Sequence, residues 1–124
     1  MSWCFADEGG DDSDGVLNRL RSEHAVVPAV WALEVANVLL VGERRKRLTG
    51  AQSAHFLKLL SDLPIKTDEP GAAKIPQVAG VGRAHGISAY DAAYLELAAR
   101  LGLPLATRDS GLARAAAELG VAIL

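Results

Sequence analysis

Three acidic residues, Glu34, Asp91 and Asp109, stand in or beside apolar segments that have no structural need of them. Glu34 interrupts the run Val30-Trp31-Ala32-Leu33-Glu34-Val35-Ala36-Asn37-Val38-Leu39-Leu40-Val41. At helical spacing its neighbours are Val30, Trp31, Asn37, Val38 and Val41, so the carboxylate projects into apolar surroundings. Left unpaired there, it would be costly or would be forced neutral. Asp91 opens the helical run from Asp91 to Leu101, and Asp109 closely follows the strand-like Leu103-Pro104-Leu105-Ala106-Thr107. Three carboxylates converging in a fold would make a hard-cation site of oxygen ligands. Each has a plainer reading too. Glu34 could pair with an arginine such as Arg83 or Arg108, Asp91 could be an ordinary first-turn helix acid, and Asp109 could cap the following helix.

The elements that must position these acids alternate between strand and helix. Asp14 is a plausible N-cap for a helix with Val16, Leu17 and Leu20 on its apolar stripe. His24 to Pro28 reads as a short strand closed by proline, and a buried helix carrying Glu34 follows from about Ala29 to Arg47. Thr49 or Gly50 begins another helix, with Phe56, Leu57, Leu60 and Leu63 at helical spacing, and Pro64 to Thr67 is a possible edge strand. Residues 70–86 read as helix interrupted by Pro76, Gly80 and Gly82. Ser88 is placed to cap the helix bearing Asp91. Leu103 to Thr107 forms a buried strand, Ser110 to Leu119 a short helix with Gly120 as its C-terminal glycine, and Val121 to Leu124 a final strand. Such alternation implies a mainly parallel sheet covered on both faces, whose ligands bind outside the carboxyl ends of the strands.

Bulk properties bound the function classes. The 124 residues suffice for one domain, and 50% hydrophobic with 23% charged residues fits a globular chain rather than disorder. A net charge of -2 gives no global pull toward nucleic acid, so RNA contact would need a local patch, such as Arg44-Arg45-Lys46-Arg47. That run also suits a solvated helix end. A single cysteine, Cys4, excludes an internal disulfide and fits a reducing cytoplasm. No secretory leader is visible, and the longest apolar stretch, broken by Glu34, is too short for a membrane span. The acidic stretch from Asp7 to Asp14 fails the spacing of a calcium loop, and Gly80-Val81-Gly82 lacks the context of a phosphate loop. His24, His55 and His85 show no mutual metal spacing and read as partly exposed surface residues.

Three segments together resemble the PIN-domain ribonucleases, specifically the VapC-like toxins of type II toxin–antitoxin pairs. They are Pro28 to Leu39, Ile87 to Ala98, and Leu103 to Leu112, in the family's order and spacing. Ser2-Trp3-Cys4-Phe5 looks like the segment that follows the family's first strand. The resemblance implies a single PIN-like α/β/α domain with a mainly parallel central sheet, lacking its first strand and that strand's aspartate. It implies Mg²⁺ or Mn²⁺ held by Glu34, Asp91 and Asp109, with Thr107 at a hydroxyl position near the metal water and Asn37 placed to orient Glu34. It further implies an RNA substrate, a cognate antitoxin, a homodimer and a cytoplasmic location. Self-association is also expected from the apolar N-terminal segment. Two alternatives stand beside the ribonuclease reading: a PIN-like module that engages an antitoxin or partner subunit without cleaving RNA, and a metal-dependent hydrolase of small phosphates.

Overall fold

A computed structural model describes residues 3–5, 24–68 and 71–124. Four short strands form one sheet: β1 (Trp3–Phe5), β2 (Ala25–Pro28), β3 (Ile65–Asp68) and β4 (Leu105–Ala106), in the order β3-β2-β1-β4. The helices are α1 (Val30–Arg44), α2 (Gly50–Ser61), α3 (Ile75–His85), α4 (Ala89–Leu101) and α5 (Ser110–Leu119), with a 3₁₀ turn at Ala72–Lys74. The expected helix behind Asp14 lies outside the described residues. No described helix is long and apolar enough to cross a membrane.

Three of the four strands point the same way, and β1 opposes them. β2 pairs parallel with β3, and Leu105 bridges Ile123 in parallel. β2 and β4 each pair antiparallel with β1, so they point the same way as one another. The place expected for the family's first strand is therefore taken by Trp3–Phe5, running against its neighbours. Cys4 lies opposite Val26 on one side and Leu105 on the other. This segment is thus paired along both edges rather than a free terminal patch. The final strand reduces to a bridge, with Leu105 N–H donating to Ala122 O and Leu124 N–H donating to Leu105 O.

Helix α4 is the hub. It packs on β1, β2 and β4, and α3 and α5 pack against it. Tyr94, Leu95, Glu96, Leu97 and Ala98 are five consecutive buried residues, so α4 is enclosed nearly all round. Leu95 and Leu97 join Val27, Leu105 and Leu112 among the fully buried side chains; truncating such a leucine to alanine costs about 2–5 kcal/mol. By contrast, α1 buries only the stripe Trp31, Val35 and Leu39 and leaves Leu33 72% exposed. The expectation of a fully buried α1 is corrected, because period-3.6 packing against one sheet covers a single stripe.

Local signals explain the helix ends. Thr49 and Gln52 form a reciprocal capping box at α2, at 3.1 and 2.9 Å. Pro76 lies in the first turn of α3, where its missing N–H costs no helical bond, so it starts the helix instead of breaking it. Gly82 also has a packing reason: a Cβ there would stand 3.1 Å from Ile87 O and 3.6 Å from the Ala92 side chain. α3 and α4 approach closely at that point. Gly86, Gly102 and Gly120 end α3, α4 and α5 in the left-handed conformation.

Candidate active site

Strand direction brings the acids together. The carboxyl ends of β2 and β4 lie at the same edge of the sheet, since both strands oppose β1. The chain leaves β2 into α1, placing Glu34 in the first turns of that helix. It leaves β4 into the turn that carries Asp109. Asp91 enters from α4, where Ser88 is the N-cap and accepts the Asp91 backbone N–H at 3.1 Å.

Glu34 is half-buried and does not pair with Arg83 or Arg108 among the described residues. Instead the Tyr94 hydroxyl donates to Glu34 Oε1. Asn37, expected to orient Glu34, is exposed. Sequence reading missed Tyr94. The available signal was its position one turn after Asp91, where a helical neighbour shares the acid's face.

Asp91 reports on its surroundings through its ionisation. Burial pushes its carboxyl above the usual aspartate range, and the negative charges of Asp109 and then Glu34 push it further. The Ser88 hydroxyl partly offsets this by a hydrogen bond to the carboxylate. The three acids are therefore electrostatic neighbours. Among the described residues, no lysine, arginine or histidine forms an ion pair with any of them.

Asp109 is the exposed member. Its Oδ1 accepts the Leu112 N–H at 3.0 Å, so it caps α5. Thr107 Oγ1 accepts the Asp109 N–H at 3.1 Å, which holds the turn that presents Asp109. His85, read as partly exposed, is half-buried beside Glu118, 2.8 Å from Nδ1 to Oε1.

Among the described residues, no group of three or more His, Cys, Asp or Glu side chains is arranged to hold a metal ion. Direct ligation by all three acids at once is thus not what the structure displays. The donor chemistry still fits a hydrated cation, because Mg²⁺ keeps several waters and is commonly bound through one or two carboxylates. The repulsion felt at Asp91 is the kind that a cation relieves.

An α/β fold with acids gathered at the carboxyl edge of its sheet defines a class of ligand-binding domain whose chemistry sits at that edge. The PIN-domain family model matches residues 1–118. The chain belongs to the PIN-domain family, whose members are nucleases that generally use divalent metal ions. A search of curated proteins returns no match.

Proposed function

We propose that this chain is a metal-dependent endoribonuclease, the toxin component of a toxin–antitoxin pair, with Glu34, Asp91 and Asp109 as the cation-binding acids. The carrying observation is the electrostatic crowding at Asp91, where two further carboxylates add to burial in opposing ionisation. A divalent ion bound there would activate water and offset charge on the phosphodiester. The chain's own residues do the rest. Tyr94 anchors one Glu34 oxygen, Ser88 holds Asp91, and the α5 cap fixes one oxygen of Asp109 while leaving the other. Thr107 braces the Asp109 turn and, by the family resemblance, would supply a hydroxyl near a metal-bound water.

Exposed apolar side chains support partners. Leu33 and Leu40, seven residues apart on α1 and both exposed, offer an apolar strip for a homodimer or an antitoxin helix. The exposed run Arg44, Arg45, Lys46 and Arg47 at the end of α1 supplies a local positive patch for RNA phosphates.

A second reading, a binding module that occupies an antitoxin without cleaving RNA, is favoured by one observation. No three described side chains surround a single metal position. Metal-dependent cleavage of a mixed RNA pool separates the two. Cleavage that requires Mg²⁺ or Mn²⁺ and disappears in Asp91→Asn supports the nuclease. Antitoxin binding with no cleavage at any metal concentration supports the module.

A further inference from the structure

Tyr94 connects the two helices that carry Glu34 and Asp91. Its side chain is only 1% exposed and belongs to the central core cluster. The hydroxyl at the end of a buried ring must find a partner, and this one donates to Glu34 Oε1. A packed tyrosine has only two side-chain torsions, both fixed by the surrounding core, so its hydroxyl is a fixed point. Glu34 has a longer chain and is only half-buried, so alone it would sample several rotamers.

We infer that Tyr94 is a positioning residue: its hydroxyl holds one oxygen of Glu34 and so presents the other toward a hydrated divalent cation at the edge where Asp91 and Asp109 lie. This rests on the reading of these acids as a cation site. The bond runs from α4 to α1, and Tyr94 stands one turn beyond Asp91 on the same face. One side chain therefore ties the spacing of two acids to the packing of the core. Such supporting groups hold a ligand's orientation and commonly change metal affinity by about 10–100-fold when removed. Two buried polar groups that merely satisfied one another would affect stability but not cation binding.

Calorimetric titration of Mn²⁺ into the wild-type chain, Tyr94→Phe, Glu34→Ala and the double variant distinguishes these roles. The expected result is roughly tenfold weaker Mn²⁺ binding in Tyr94→Phe with an unchanged far-ultraviolet spectrum. In the Glu34→Ala background, the tyrosine substitution should add nothing. Wild-type affinity in Tyr94→Phe, with Glu34→Ala weakened, would overturn the role of Tyr94 and leave the cation site standing. Failure of the wild-type chain to bind Mn²⁺ would remove the cation site itself, and the inference with it. Should Tyr94→Phe not fold, fluorotyrosine labelling of the intact chain supplies a second readout, with Tyr90→Phe to assign the signals. Mg²⁺ should then move the Tyr94 fluorine resonance; an unmoved resonance with Mg²⁺ bound would overturn the proposal.

Discussion

Helix α4 carries one acid in its first turn, Asp91, and another further along, Glu96, and the fold treats them oppositely. Glu96 is 8% exposed and fully compensated. Arg100 Nε donates to both its oxygens, at 2.8 and 3.1 Å, and Arg100 Nη2 reaches Asp68 Oδ2 at 2.6 Å on the last residue of β3. Asp68 and then Glu96 hold the Arg100 proton more firmly than usual. Asp91 is less buried, yet among the described residues the charges that oppose its ionisation are those of two more acids, and no arginine pairs with it. A groove of about 560 Å³ beside Arg100, lined also by Lys74, His85 and Glu96, has its one carboxylate already paired. A desolvated carboxylate needs compensation. Where the chain supplies an arginine, the acid ties elements together. Where no described residue supplies one, the proposed cation would provide the compensation.

The largest expected effect breaks the comparison at the Asp91 end. Asp91→Asn should lower metal-dependent RNA cleavage by about 100-fold or more, since even partners that only support a metal ligand are worth about 10–100-fold. Cleavage assays at saturating Mn²⁺ check it. Arg100→Ala should do the reverse, sparing Mn²⁺ affinity while destabilising the fold. The cost should be roughly 2 kcal/mol, less than the ~3–5 kcal/mol of a fully buried pair because Arg100 is partly exposed. Urea denaturation of the variant measures this.

Asp109 combines both kinds of role, and two substitutions separate them. Asparagine caps a helix about as well as aspartate, so Asp109→Asn should lose cleavage with little change in melting temperature. Asp109→Ala should lose cleavage and also about 1 kcal/mol of stability. Equal melting temperatures for the two variants would show that the cap contributes nothing.

The smallest effect lies in pH dependence. The raised folded-state value at Asp91 means its favourable contribution is present below the ordinary aspartate range. That contribution is lost as pH rises through the folded value. Asp91→Asn, which cannot ionise, should therefore match the wild type in acid and melt slightly higher near neutral pH. Mg²⁺ should narrow that gap by stabilising the ionised wild type. Melting curves across acid to neutral pH, with and without Mg²⁺, test the sign.

Glu34 stood out because it breaks an apolar run, and Asp91 and Asp109 because they open or follow apolar segments; most helix ends were legible as well. Thr49, Ser88 and Asp109 act as caps, and Gly120 closes α5, through bonds to residues near in sequence. Pro76 and Gly82 misled because their meaning depends on place. Proline is tolerated in a first turn, and a glycine is needed where another helix comes close. Asn37 looked like the partner of Glu34 because it is one turn away, whereas the true donor, Tyr94, lies sixty residues on.

By itself, then, the order of residues determined which segments become helices and strands, where most helices start and stop, and which carboxylates are out of place. These are properties of periods, caps and turns, which act within a few residues. Only the tertiary structure decided that Trp3–Phe5 fills the middle of the sheet against the direction of its neighbours. It also decided that Glu96 has an arginine while Asp91 has none among the described residues, and that Tyr94 reaches Glu34. Those outcomes depend on which distant surfaces meet, and no local pattern in the chain encodes the distance between them.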